Sequence, residues 1–160
     1  MTDVTLSVLG ADRLWALAAF YAENLTLRPR FTKTGRWARR VLSGPDHEAW
    51  LLAWLPGQGT EMHDHGGLAR PAAAAVSVVS GRLTEYTVVP GAFPGLRRTG
   101  LERGGVSTVD DRTVHAMRND SGEPAVSLHV YSPSLDAMRT YLFDETGLSP
   151  AAIKRAGEDW

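Results

Sequence analysis

His63 and His65 are separated by a single residue in the run Pro56-Gly57-Gln58-Gly59-Thr60-Glu61-Met62-His63-Asp64-His65-Gly66-Gly67. On an extended strand successive side chains point to opposite faces, so the two imidazoles share one face. Two neutral imidazoles placed this way suit one transition-metal ion, and a third from a neighbouring strand closes one face of its coordination sphere. The candidate for the third is His115, in Val114-His115-Ala116-Met117-Arg118-Asn119. Distance along the chain does not set distance in space, so His115 depends on the fold to bring it there. His47, in the turn Pro45-Asp46-His47-Glu48, reads as an ordinary packed or solvated histidine.

The residues around the pair narrow the chemistry. Asp64 falls on the opposite strand face, and Gly66-Gly67-Leu68-Ala69-Arg70 offers no carboxylate. Glu85, beyond the next turn, reads as a surface residue or one that supports a ligand from behind. Three neutral nitrogen donors suit iron, copper, nickel or zinc and argue against magnesium and calcium. They leave the charge of a divalent ion uncompensated, which favours an anionic ligand from the substrate, for example a thiolate. They also leave positions vacant for a chelating substrate and dioxygen.

The elements that must position these residues are mostly short strands. The 160-residue chain is 43% hydrophobic, enough for one domain with a real core. Its net charge of −1, with Arg36, Arg39 and Arg40 as the single basic cluster, makes nucleic acid or an anionic membrane an unexpected partner. With no cysteine, disulfides and thiolate metal sites are excluded. No basic-then-apolar leader opens the chain at Met1–Leu6, and no apolar run is long enough to span a bilayer. The expected location is the cytoplasm.

An N-terminal helical region over about 1–34 is expected, with Asp12 as N-cap, a stripe of Leu14, Trp15, Leu17, Ala18, Tyr21 and Leu25, and an end near Asn24–Thr26. From 35 to about 145 turn residues punctuate β-like runs at 37–42, 49–54, 61–65, 74–79, 82–89, 106–109, 114–119 and 125–131. Leu68–Ala75 reads as a loop leading into a strand, because Pro71 and Gly66-Gly67 oppose a helix. A closing helix is expected over about 149–157, capped by Ser149. The reading is one all-β-dominated domain over 1–160, a sandwich or barrel with an N-terminal helical segment.

Gly57 with His63 and His65 resembles the first half-motif of the cupin superfamily, and Gly104-Gly105 followed by His115 and Asn119 resembles the second. That resemblance implies a cupin double-stranded β-helix (jelly-roll) barrel in which the two half-motifs share a metal. Over about residues 35–135 the chain further resembles the cysteine dioxygenase type I family of thiol dioxygenases. The strings that carry this are Trp54-Leu55-Pro56-Gly57-Gln58 with His63-Asp64-His65-Gly66-Gly67, and Glu123-Pro124-Ala125-Val126-Ser127-Leu128-His129-Val130-Tyr131-Ser132-Pro133.

The resemblance implies Fe(II) held by His63, His65 and His115, a small-molecule thiol and O2 as reactants, and a Ser127–His129–Tyr131 relay beside the metal. Strand alternation puts those three polar residues on one face. The outer, wet face of a strand is the alternative for them. The resemblance also implies carboxylate recognition by an arginine two residues after an aromatic, which matches Trp37-Ala38-Arg39, although Arg36 and Arg40 flank it. Guanidinium pairs with carboxylate through two parallel hydrogen bonds. A surface basic strand is the plain alternative. Some members carry a cysteine–tyrosine link, which a chain without cysteine lacks. The loop after His65 is longer than usual and is expected near the site mouth.

The function implied is oxidation of L-cysteine to cysteine sulfinic acid. Alternatives are dioxygenation of another small thiol (3-mercaptopropionate or cysteamine), a non-thiol metal-dependent cupin enzyme, and a ligand-binding cupin. Sequence alone leaves the oligomeric state open.

Overall fold

The computed structural model describes residues 7–92 and 94–157. Met1–Leu6, where no leader was expected, and the start of the 1–34 helical region lie outside the described residues. Among the described residues the helical region contains one helix, α1, at Ala11–Glu23. Its N-cap is Gly10, which makes no side-chain cap hydrogen bond. Asp12, the expected cap, instead sits in the first turn, where its charge complements the helix dipole. Asn24 closes the helix, its N–H donating to the carbonyls of Phe20 and Tyr21.

Eleven strands follow among the described residues: β1 Trp37–Ser43, β2 Glu48–Trp54, β3 Met62–Asp64, β4 Ala73–Ser80, β5 Arg82–Val89, β6 Gly95–Glu102, β7 Val106–Val109, β8 His115–Arg118, β9 Ala125–Ser132, β10 Ala137–Asp144 and β11 Gly147–Arg155. They form a five-stranded sheet, β1-β2-β9-β4-β7, and a six-stranded sheet, β11-β10-β3-β8-β5-β6. Neighbouring strands in both sheets run antiparallel.

Strand parity sorts the core. On the central strand β9, Val126, Leu128 and Val130 face outward and meet Leu14 and Ala18 of α1 with Ala49, Leu51 and Ala75. The opposite face of the same sheet presents Leu52, Trp54, Val76 and Val78, which pack on Leu83, Leu101 and Met117 of the six-stranded sheet. Each fully buried leucine of this kind contributes about 1.5–3 kcal/mol. Helix α1 therefore covers the back of the five-stranded sheet, and the space between the sheets is left for the polar side chains of alternate parity. Among the exposed residues of α1 are Trp15 and Phe20, so the expected stripe is only partly buried.

The expected C-terminal helix over 149–157 is absent; Gly147–Arg155 is strand β11, paired along β10 from Asp144↔Gly147 to Ala137↔Arg155. A hairpin turn enforces this. Asp144 Oδ1 accepts from the Thr146 N–H at 2.8 Å and the Thr146 hydroxyl at 2.6 Å, and Gly147 takes a φ of +111°. A short Ala-rich run is marginal as an isolated helix, and a waiting sheet edge captures its backbone groups. Strands β6 and β10 were also missing from the sequence reading. β6 is glycine-interrupted and exposed along most of its length, so it carries no hydrophobic alternation.

Candidate metal centre

The stretch Pro56–Thr60 is stitched to β8. The Gly57 N–H donates to the Asn119 carbonyl and the Asn119 N–H to the Gln58 carbonyl, both at 2.8 Å. The Thr60 N–H donates to the Met117 carbonyl at 2.8 Å, and the Met117 N–H to Thr60 Oγ1 at 3.0 Å. A side chain at Gly59 would lie 3.0 Å from the Met117 carbonyl, so glycine permits this approach. The stitching delivers His63 of β3 directly opposite His115 of β8. His65 follows just beyond β3.

The three rings form a tight cluster, with centroids 4.7 Å apart for His63 and His115, and 5.1 Å apart for each of the other two pairs. One nitrogen from each ring lies within 4.8 Å of the others. All three residues are buried. Burial, reinforced by the neighbouring imidazoles, holds His63 and His65 well below the ordinary histidine range, so both rings are neutral at physiological pH.

Their neighbours set the tautomers. His63 Nδ1 is 2.8 Å from the Glu61 carbonyl, which only accepts, so Nδ1 carries the proton and Nε2 the lone pair. His115 Nδ1 is 2.8 Å from Glu85 Oε1. Burial pushes the Glu85 carboxyl up, but hydrogen bonds from His115 and the Ser107 hydroxyl outweigh it and hold it below its ordinary value. The ionised carboxylate thus accepts a hydrogen bond from Nδ1–H, which keeps the proton on that nitrogen. That leaves His115 Nε2 buried with no hydrogen-bond partner, and His65 Nδ1 is in the same condition. Orphaned buried nitrogens in a neutral cluster are costly unless something else satisfies them. The donor set therefore fits a metal ion. Glu85, open in the sequence reading between surface and support, is buried and supports His115.

A cavity of about 360 Å³, counting its open mouth, lies over the cluster. His129 and Tyr131 reach it from β9, and Arg36 from the residue preceding β1. The expectation that Ser127, His129 and Tyr131 share the inner face is met: all three are buried, with parity opposite to the α1-facing residues. Trp54 Nε1 donates to Ser127 Oγ at 2.8 Å, and Ser127 Oγ is 2.8 Å from His129 Nε2. His129 Nδ1 is 3.5 Å from the Tyr131 hydroxyl, a long contact. Burial drops His129 to about 3, so this ring too is neutral. Burial, helped by the charge of Glu48, raises the Tyr131 phenol above its ordinary value.

The arginine assignment from the sequence needs correction. Arg39 is exposed and lines an outer groove between α1 and β1, together with Tyr21 and Leu27. Trp37 also faces outward, packing with the α1 cluster. Arg36 shares parity with Ala38, whose side chain joins the inner cluster, and so points into the cavity. Of the three clustered arginines, Arg36 is the one that lines the cavity. Arg36 stacks over the Trp54 ring at 5.7 Å and donates to the Gly59 carbonyl at 3.3 Å. Its Nε is buried with no hydrogen-bond partner, and burial lowers its pKa from the usual value. Arg40 lies outside, over Trp50 and 3.6 Å from Glu48.

The loop after His65 does not line the cavity or its mouth. The Leu68, Ala69 and Arg70 N–H groups donate to the Asp136 carboxylate at 3.1, 2.9 and 3.2 Å, which ties the loop down elsewhere. His47 binds Tyr21 and Asp46, at 2.8 and 2.6 Å, apart from the cluster. The sequence reading left Arg36 open beside Arg39 and Arg40, left Glu85 open between surface and support, and gave Trp54 no role at the site. The parity of Arg36 with Ala38 is the signal that could have separated it from Arg39.

Two antiparallel sheets closed around an inner three-histidine cluster define a cupin-type double-stranded β-helix. Solved structures share this fold. A Thermus thermophilus protein, TT1209, aligns with a TM-score of 0.55 at 20% identity, over 79% of this chain and 97% of its own. A double-stranded β-helix domain protein from Klebsiella pneumoniae aligns at 0.51 and 21% identity, over 78% and 90%. An oxalate oxidase in complex with glycolate aligns at 0.53 and 14% identity, over 65% and 55%. No curated protein matches the sequence. The family model of cysteine dioxygenase type I matches residues 7–145, and the chain belongs to that family.

Proposed function

We propose that this protein is an iron-dependent thiol dioxygenase that converts L-cysteine and O2 to cysteine sulfinic acid. The observation that carries the reading is the convergence of three neutral imidazoles, Arg36 and Tyr131 on one small cavity. Family membership supports the reaction class. His63, His65 and His115 would hold the metal. When bound, Fe(II) supplies the redox capacity and vacant coordination positions that side chains lack.

The chain's own residues have separable tasks. Arg36 receives the substrate carboxylate through its guanidinium fork, which orients the thiol toward the histidine cluster. Leu52, Val76, Met117 and Met138 line the walls and limit water. The relay fixes a proton direction. The buried Ser127 hydroxyl has His129 Nε2 as its acceptor, which makes Nδ1 the protonated nitrogen of that ring. In the long contact to Tyr131 the phenol oxygen is then the acceptor, and its own O–H proton can be directed at the reacting oxygen. The net change is RSH + O2 → RSO2H, with both oxygen atoms ending on sulfur.

One observation favours a second reading, 3-mercaptopropionate as substrate. No carboxylate lines the cavity among the described residues, so the amine of cysteine finds no acidic partner there. Both thiols offer Arg36 a carboxylate; cysteamine does not. The test is oxygen uptake and product analysis by iron-reconstituted protein with each of the three thiols. Sulfinate formed with one O2 consumed per carboxylate-bearing thiol is the expected result. Absence of oxygen uptake with every thiol would leave a non-thiol cupin enzyme, and ligand binding without turnover would leave a binding cupin.

A further inference from the structure

The cavity opens past Arg36 and His63 to a mouth formed by Gly59, Glu61, Thr140 and Lys154. Lys154 comes from β11, where it pairs with Met138, a residue of the cavity wall. Its Nζ lies 2.6 Å from Glu61 Oε2 and bridges the mouth.

Three charges meet there. Arg36 and Lys154 are cations and Glu61 is the one carboxylate among the described lining residues. The charge of Glu61 is felt at Arg36, yet no ion pair joins them; the carboxylate is committed to Lys154. The Glu61 backbone is held in place because its carbonyl accepts from His63 Nδ1. Its exposed side chain is held by Lys154 and shares the mouth with Arg36, whose charge it feels. Meanwhile Arg36 holds a single carbonyl contact at 3.3 Å and an unpartnered Nε.

We propose that Lys154 sets the charge preference of the cavity by sequestering Glu61, so that Arg36 meets an incoming anion without an internal competitor. Lys154 is a positioning residue in this scheme, acting through Glu61 on Arg36. The inference rests on the reading that Arg36 receives the carboxylate of the ligand. Two effects add when Lys154 is removed. The mouth loses one positive charge, and Glu61 is released to pair with Arg36 in place of the ligand.

The test is calorimetric titration of the metal-reconstituted protein with 3-mercaptopropionate, propionate and 2-mercaptoethanol. In Lys154→Met the two carboxylates should bind roughly three- to tenfold more weakly, while neutral 2-mercaptoethanol changes less than about twofold. Lys154→Arg should retain wild-type binding, and the double variant Lys154→Met with Glu61→Gln should regain most of the lost affinity. Steady-state rates with 3-mercaptopropionate should show a matching rise in KM with kcat held. Equal weakening of all three ligands, no weakening, or no recovery in the double variant overturns the inference. If thiols do not bind but propionate still distinguishes wild type from Lys154→Met, the thiol reading falls and the charge preference stands. If propionate fails to bind wild type, the charge preference falls.

Discussion

His115 Nδ1 lies 2.8 Å from Glu85 Oε1, and both side chains are buried between the sheets. The carboxylate does not face the cavity; it stands behind a ring whose other nitrogen does. This arrangement fixes the His115 tautomer and orients the ring. It also supplies the negative charge that the three neutral donors lack. Replacing Glu85 with Gln should weaken metal binding by about 10- to 100-fold while leaving the fold intact. Competition with a chelator of known affinity, followed by metal analysis and circular dichroism, measures both quantities.

Arg36 and Arg39 make opposite predictions although three positions apart. Arg36→Gln removes the guanidinium from the cavity and should lower kcat/KM for a carboxylate-bearing thiol by roughly 30- to 1,000-fold, the range for losing a charged hydrogen-bonded partner. Arg39→Gln touches only the outer groove and should change it less than about twofold. Steady-state oxygen uptake on the two variants decides between them. Equal losses would mean that Arg36 does not meet the substrate.

Tyr131→Phe keeps the ring and removes the hydroxyl. It should lower kcat by about 100-fold, at the lower end of the range for a positioned acid or base. Ser127→Ala should have a smaller effect of the same sign, because it releases the His129 tautomer without removing the phenol. Metal content should stay at the wild-type level in both, which separates a catalytic from a ligand-holding role.

The loop after His65 carries a stability prediction. Gly67 has a φ of +67°, and a Cβ there would lie 2.2 Å from the Arg70 carbonyl oxygen and 2.4 Å from Asp136 Oδ1. Gly67→Ala should therefore cost about 1–3 kcal/mol and lower the Tm measured by scanning calorimetry.

Asp136 adds a pH dependence to the same loop. Burial pushes its carboxyl up, but the N–H groups of Ala69, Leu68 and Arg70 outweigh burial and hold it below its ordinary value. A folded value below the unfolded one means that the unfolded chain binds more protons between the two. The stabilisation is complete above an unfolded carboxylate value of about 4 and is lost as pH falls through the folded value. The Tm gap between wild type and Asp136→Asn should narrow over that interval. A constant gap across pH would refute the assignment.

Much of the site was legible in the sequence because strand parity is a local property. His63 and His65 must share a face if the run is extended, and so must Ser127, His129 and Tyr131; both inferences need only the alternation of side chains. Eight of the strands were visible for the same reason, in runs where apolar residues mark a buried face. β6 was not, because an exposed strand shows no alternation. β11 was misread as a helix, because its partner strand and not its own composition decides its form.

The amino-acid sequence by itself determined the chemistry: three neutral nitrogen donors, no thiolate, and a polar stripe on one hydrophobic strand. Only the tertiary structure decided which groups meet. It set His115 opposite His63, turned Arg36 inward and Arg39 outward, placed Glu85 behind His115, and brought Lys154 from the far end of the chain to Glu61. The physical reason is range. Side-chain type and parity are properties of neighbouring residues, whereas cross-strand register and the closure of two sheets depend on backbone pairings between residues far apart in the chain.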